Sequence, residues 1–198
     1  MSINIFNKWS ADEIKVEDAG LKDYIGLKPR IVPKTGGRYS GVRFGKNRTF
    51  IVERLINKLK GSGHKAKKHK ISSGQFTDKT IKVYSIVEKA LTIVEKKLGK
   101  NPIAVFVKAL ENAAPREGVV TIEYGGARYP KAVEISPQRR IDHTLRLMCQ
   151  GAYQKSFNKK KTIVQALADE IINAYTLSSN SDAISKKQEM ERQADASR

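Results

Sequence analysis

Lysine and arginine side chains are concentrated in residues 28–70, which hold fourteen of them against a single acidic residue, Glu53. A solvated charged surface normally mixes both signs, whereas this stretch nearly excludes one of them. Cationic blocks of this kind neutralise the phosphates of nucleic acids. The candidate phosphate contacts are Lys28, Arg30, Lys34, Arg38, Arg43, Lys46, Arg48, Lys65, Lys67, Lys68 and Lys70.

Two aromatic residues lie among these cations. Tyr39 follows Arg38, and Phe44 follows Arg43. Aromatic rings interleaved with arginines can stack on unpaired bases. The same rings could instead anchor the basic segment to a hydrophobic core. The sequence alone leaves both interpretations open.

Residues suited to catalysis or metal binding form no recognisable pattern. His64 and His69 lie in the lysine-rich stretch, where neighbouring cations oppose metal binding, and His143 stands apart from both. The single cysteine, Cys149, completes no zinc motif and is typical of a small core residue. We therefore expect no catalytic residues, no metal and no cofactor, and we expect that the protein is not an enzyme.

Total charge limits the class of partner. The 198 residues carry a formal net charge of +18 and a pI of about 10.0. That much like charge indicates a polyanionic partner. An anionic bilayer is the competing polyanion, but no apolar run reaches the roughly 18 residues that span a membrane, so we expect no membrane partner. The N-terminus lacks the pattern of a secretory signal, and a lone cysteine is compatible with a reducing cytoplasm.

Hydrophobic periodicity predicts the elements that must position the basic residues. Helical spacing of apolar residues indicates helices over 49–60, 79–98, 102–114, 137–153 and 162–175, and a charged tail helix over 182–198, exposed or docked on a partner. On the helix over 79–98, the predicted inner face is Ile81, Tyr84, Val87, Leu91, Val94 and Leu98. The predicted fold is mainly α: a bundle of about six helices with one protruding two-stranded β-hairpin, plus a basic N-terminal extension. We divide the chain into an N-terminal extension or basic arm over 1–48 and a helical domain over 49–198, with the hairpin at 118–136.

The hairpin prediction depends on a change of period from 3.6 to 2 after residue 117. Gly125 and Gly126 form a two-residue turn signal, because glycine accepts the positive φ of primed turns. That turn places Glu123 opposite Arg128 and Ile122 opposite Tyr129. Because Pro130 lacks the N–H of a central strand, we expect a free ribbon. Its candidate nucleic-acid contacts are Arg128, Tyr129 and Lys131.

Two adjacent arginines follow the hairpin. Ser136 and Pro137 are typical of an N-cap and a first helical residue. Arg139 and Arg140 then fall in the first turn, where the helix dipole disfavours cations by about 0.3–1 kcal/mol each. We therefore predict that both arginines contact phosphate.

Six segments of the chain resemble one known family. They read "GRYSGVRFGKN" at 37–47, "IVERLINKL" at 51–59, "NPIAVFVKALENAAPRE" at 101–117, "AVEISPQRRIDHTLRLMCQGAYQKSF" at 132–157, "KTIVQALADEIINA" at 161–174 and "SSNSDAISKKQEMERQADASR" at 178–198. In this order and at these distances they resemble the ribosomal small-subunit protein seven family in its archaeal–eukaryotic form.

The resemblance implies a structural role in RNA binding. Members of the family bind the 3′ major domain of small-subunit ribosomal RNA early and organise assembly of the subunit head. They lie near the exit-site transfer RNA and the messenger exit path, among other head and platform proteins that include the eleventh small-subunit protein. The implied location is the ribosome in the cytoplasm. The alternative class is a basic helical nucleic-acid-binding protein outside the ribosome, which would explain the charge equally well.

Overall fold

Six α-helices and one two-stranded sheet form the regular structure of residues 3–63 and 79–198, the parts of the chain that the computed structural model describes. The helices are Ile51–Leu59 (α1), Thr80–Leu98 (α2), Pro102–Ala113 (α3), Pro137–Ser156 (α4), Ile163–Tyr175 (α5) and Asp182–Asp195 (α6). Strands Glu117–Tyr124 (β1) and Ala127–Glu134 (β2) pair as an antiparallel hairpin between α3 and α4. The prediction of a mainly α fold with one hairpin is confirmed.

Several helices begin at residues that satisfy their first free N–H groups. The Asn101 side chain accepts a hydrogen bond from the Ile103 N–H at 3.0 Å, directly before Pro102, as predicted. Thr162 and Gln165 form a reciprocal capping box at the start of α5. These caps hold α3 and α5 in place, and α5 packs against α2, α3 and α4 in the interior.

Helix α2 buries a stripe that differs in part from the predicted one. Val87, Leu91 and Val94 are fully buried as expected, and Tyr84 and Leu98 are half-buried. Ile81, which was predicted to face the core, is 85% exposed. It lies in the first turn, to one side of the line through Val83 and Val87, so the prediction for Ile81 is wrong. Helical spacing identified the correct helix but was too coarse to fix the edge of its apolar face.

The N-terminal residues contribute to the same hydrophobic core as the helices. Ile5, Phe6 and Trp9 are buried, and the ring of Phe6 meets those of Trp9 and Tyr84 edge to face, with centroids 5.9 and 4.7 Å away. The Asn101 side chain donates a hydrogen bond to the Ser10 carbonyl at 2.8 Å. The first part of the predicted extension is therefore packed on α2 and α3.

The hairpin has the predicted register. Glu123 lies opposite Arg128, and Ile122 lies opposite Tyr129. Gly125 and Gly126 have φ values of 55° and 84°, which a β-branched residue could adopt only with strain. Every residue from Glu123 to Lys131 is exposed, so the outer half of the ribbon projects from the helices.

Helix α6 and the residues that follow it pack against the base of this hairpin. Gly118 faces the side chains of Ile135 and Met190, and the Arg116 N–H donates to the Glu191 carboxylate at 3.1 Å. Arg198 donates to both oxygens of Glu117 at 2.6 and 2.7 Å. The tail helix was predicted to be exposed or docked on a partner. It is instead docked on α4 and the hairpin of its own chain, which corrects that prediction.

Candidate nucleic-acid interface

The basic segment from residue 28 to residue 48 is folded against α1. The Ile51 N–H donates to the Gly26 carbonyl at 2.9 Å, which fixes the segment where α1 begins. The Thr35 N–H and hydroxyl both donate to one carboxylate oxygen of Glu53, at 2.7 and 2.6 Å. The segment thus holds its cations in a defined arrangement.

Most of the predicted cations of this segment face solvent. Arg30 is half-buried and donates a hydrogen bond to the Tyr39 hydroxyl at 3.2 Å. The six exposed members of the set are Lys28, Lys34, Arg38, Arg43, Lys46 and Arg48. A surface of this kind can bind phosphates without rearrangement of the fold. Lys65, Lys67, Lys68 and Lys70 lie outside the described residues, as do His64 and His69.

The two aromatic residues of the segment have different environments. Tyr39 is half-buried and bonded to Arg30, and its carbonyl lies so close to Gly45 that an added Cβ there would be only 2.1 Å away. Tyr39 therefore anchors the segment. Phe44 is 59% exposed, and the guanidinium of Arg43 lies 5.2 Å from its ring centroid. Phe44 is thus the ring available for stacking on a base.

A partly buried polar cluster joins the basic segment to α4. Asp142 pairs with Lys46 at 2.9 Å and with Arg54 at 3.2 Å, and Arg54 also donates to the Tyr24 carbonyl at 3.0 Å. Burial raises the pKa of the Asp142 carboxyl, but the hydrogen bond from Lys46 and the charges of Arg54 and Lys46 outweigh it, and the pKa is lowered. Sequence reasoning missed Arg54, although an arginine within the apolar run of α1 was a visible signal.

The arginine pair at the start of α4 is divided between surface and interior. The Ser136 side chain makes no capping bond, although Pro137 does begin the helix. Arg139 is exposed, whereas Arg140 is 8% exposed and donates to Asp18 at 2.8 Å and to the Pro115 carbonyl at 3.1 Å. The guanidinium of Arg140 is therefore already hydrogen-bonded inside the fold, and we do not propose Arg140 as an RNA contact.

Single substitutions of Arg139 and Arg140 can distinguish a role in RNA binding from a role in stability. We expect Arg140→Ala to lower the free energy of unfolding by about 1–3 kcal/mol, because it strands a part-buried carboxylate and a buried carbonyl. Arg139→Ala should change stability by no more than about 0.5 kcal/mol and should instead weaken RNA binding. Urea unfolding and filter binding of both variants provide the measurement. Equal stability losses in the two variants would contradict the division.

Three further polar residues extend the exposed basic surface along α4. Arg139, His143 and Arg146 are spaced by one turn, and they line an open cavity together with Ser136, Gln138 and Asp142. Sequence reasoning did not select His143 or Arg146, although they follow Arg139 by four and seven residues, which is typical of one helix face. We call the six exposed cations of residues 28–48, together with Arg139 and Arg146, the basic face. The contact between Lys46 and Asp142 joins its two parts.

His143 gives this region a pH dependence. Burial, followed by the charges of Arg146 and Arg139, lowers the pKa of its imidazole below the usual value of about 6.5. Because the unfolded chain then takes up this proton more readily, folding stability is lost as the pH falls through about 6.5. We expect urea unfolding at pH 7.5 and 5.5 to show a smaller loss for His143→Gln than for the unsubstituted protein. Identical losses would show that His143 is not responsible.

The hairpin carries the remaining predicted contacts. Arg128, Tyr129 and Lys131 are all exposed on β2, and Arg128 lies 3.5 Å from Glu123 on β1. An ion pair this exposed contributes little to stability. The strands also hold Glu117, Glu123 and Glu134, so the hairpin has more acidic than basic side chains. Its attraction for phosphate is therefore weaker than that of the basic face.

The described residues offer few groups for metal binding, nucleophilic chemistry or membrane insertion. Within residues 3–63 and 79–198, no group of three or more His, Cys, Asp or Glu side chains could hold a metal ion. Cys149 is buried, and burial raises the pKa of its thiol to about 12. No helix of the described residues has the length and hydropathy needed to cross a membrane.

Comparison with known proteins identifies the family of this chain. A sequence model of the family described as ribosomal protein S7p/S5e matches residues 21–198. The small ribosomal subunit protein uS7 of Nanoarchaeum equitans is 50% identical over 198 residues, which is 100% of both chains. The uS7 proteins of Archaeoglobus fulgidus and Methanothrix thermoacetophila are each 45% identical, covering 98% and 99% of this chain and 94% and 100% of their own. The match extends over most of the chain and confirms the resemblance seen in its segments: the protein belongs to the ribosomal protein S7p/S5e family.

Proposed function

We propose that the protein is a structural constituent of the small ribosomal subunit, in the ribosome of the cytoplasm, and that it binds ribosomal RNA through its basic face. The observation that carries this proposal is the exposure of six cations in residues 28–48, held next to Arg139 and Arg146 by the contact between Lys46 and Asp142. Cations fixed in this way neutralise phosphates at a smaller loss of side-chain freedom than a disordered tail.

The proposed RNA target is the 3′ major domain, which forms the head of the subunit. Membership of the family supports this choice, as does a fold in which a basic face and a projecting hairpin are both free to reach RNA. In the assembled subunit the hairpin, with Arg128, Tyr129 and Lys131, extends towards the exit-site transfer RNA and the messenger path. The eleventh small-subunit protein and other head and platform proteins are its proposed neighbours.

Competition between ribosomal RNA fragments tests this proposal. We expect the full chain to bind a transcript of the 3′ major domain more tightly than a 5′ domain transcript of equal length at 150 mM salt. The chain should still bind the 3′ major domain transcript more tightly than the 5′ domain transcript when excess transfer RNA is added as a polyanionic competitor. Equal affinity for both transcripts would overturn the proposal and would favour a basic nucleic-acid-binding protein without a ribosomal site.

A further inference from the structure

Glu53 is an acidic residue in the otherwise cationic stretch of residues 28–70, and it is 4% exposed. One of its carboxylate oxygens, Oε1, accepts both hydrogen bonds from Thr35. The other oxygen, Oε2, is buried and has no hydrogen-bond partner among the described residues. A buried carboxylate oxygen without a donor is unfavourable, because its hydration is lost and nothing replaces it. Thr35 therefore accounts for the hydrogen bonds of Oε1 and leaves Oε2 without a donor.

Glu53 also lines an open cavity of about 420 Å³. The loop from Lys34 to Ser40, which includes Tyr39, forms one wall, and Glu53, Asn57 and Lys60 of α1 form the other. Oε2 is itself shielded from water, so a ligand reaches it by a shift of the part of this loop that follows Thr35, while Thr35 stays bonded to Oε1. Gly36 and Gly37 permit such a displacement, because both have positive φ and open space beside them.

The charges around the cavity define the ligand. Besides Lys46, which pairs with Asp142, Lys34 and Lys60 line it and attract an anion, which disfavours a metal cation. A phosphate alone would be repelled by Glu53. A nucleotide satisfies both requirements, since its base can present an amino group while its flanking phosphates are anionic. Carboxylates accept hydrogen bonds from the amino group of cytosine in this way.

We infer that this cavity receives one unpaired cytidine of the bound RNA, whose exocyclic amino group donates to Glu53 Oε2 while the flanking phosphates contact Lys34 and Lys60. This inference rests on the proposed function, since it assigns one recognition site within the RNA-binding surface. Such a site makes RNA binding selective for the base at one nucleotide, whereas phosphate contacts alone carry no sequence information.

A single-base comparison tests the site. The probes are a ten-nucleotide oligouridine and the same oligomer with one central cytidine, which replaces the carbonyl at position 4 of one base by an amino group. We expect the full chain at low salt to bind the cytidine oligomer at least about fivefold more tightly. In Glu53→Gln the amide oxygen can still accept from Thr35, but an amide N–H₂ replaces Oε2. The preference for cytidine should therefore disappear or reverse towards uridine.

Control variants separate selectivity from affinity. Lys60→Gln should weaken binding of both oligomers and leave their ratio unchanged, and an unchanged thermal transition of Glu53→Gln shows that the loop remains anchored. Equal affinities of the unsubstituted protein for the two oligomers would overturn the inference and leave the proposed function standing. A cytidine preference that persists in Glu53→Gln would also overturn it. Failure to prefer the 3′ major domain transcript would overturn the proposed function and this inference with it.

Discussion

Raising the salt concentration from 50 to 200 mM will weaken binding of double-helical RNA by about 10³-fold, if each of the six exposed cations of residues 28–48 neutralises one phosphate. Each such contact releases condensed counterions, so the logarithm of the affinity falls linearly with the logarithm of the salt concentration. Filter-binding titrations with the 3′ major domain transcript measure the slope. A shallow slope would show that the basic face makes few phosphate contacts.

Two triple variants with equal changes in net charge locate these contacts. Replacing Arg38, Arg43 and Arg48 together by Gln should flatten the salt dependence, because three proposed phosphate contacts are lost. The matched control replaces Lys82, Lys89 and Lys96, which are exposed along α2. The control should keep most of the slope, since it alters only long-range attraction. Equal flattening by both variants would mean that net charge, and not the basic face, determines binding.

Leu91→Ala will lower the free energy of unfolding by about 2–5 kcal/mol, because a fully buried side chain is removed from the packed interior. Leu91 is 0% exposed on the inner face of α2, next to the buried Ala90 and Val94. The matched control is Ile81→Ala on the same helix. Ile81 is 85% exposed, so its truncation should change stability by no more than about 0.5 kcal/mol.

Urea denaturation of both variants, followed by circular dichroism, measures this difference. The Leu91 variant should also keep its RNA affinity under conditions where it remains folded, since Leu91 lies away from the basic face. A similar loss of stability in the two variants would mean that α2 packs through a different side from the one described.

Local chemistry made much of the fold predictable. The turn of the hairpin followed from Gly125 and Gly126, since few other residues accept two successive positive φ values. The register then followed from the length of the turn. The start of α3 followed from Asn101 and Pro102, whose roles depend only on their immediate neighbours. Signals of this kind lie within a few residues of the structure that they specify.

Long-range contacts were not predictable in the same way. Arg140 is buried and donates a hydrogen bond to Asp18, which is 122 residues away in the chain. No local sequence pattern distinguishes Arg140 from the exposed Arg139. The docking of α6 depends on Arg198 and Glu117, which are also distant in sequence. The acidic N-terminal residues gave no sign that Trp9 and its neighbours would enter the core. Each of these depends on which surfaces meet after folding.

The candidate site combines both kinds of information. Composition alone identified residues 28–70 as the cationic part of the chain, and the structure shows most of the selected cations of residues 28–48 at the surface. The spacing of Arg139, His143 and Arg146 was visible in the sequence, but their place beside residues 28–48 depends on the contact of Lys46 with Asp142, 96 residues away in the chain. The unused oxygen of Glu53 could not have been inferred from sequence, because it depends on the two bonds from Thr35.

Ultraviolet cross-linking inside purified small subunits, with mass spectrometry of the cross-linked peptides, tests the central claim most directly. We expect RNA-linked peptides from residues 28–48 and from the part of α4 that contains Arg139 and Arg146. We expect none from the surface of α2 that carries Lys89 and Lys96. RNA cross-links confined to α2, with none in residues 28–48 or around Arg139, would contradict the claim that the basic face binds ribosomal RNA.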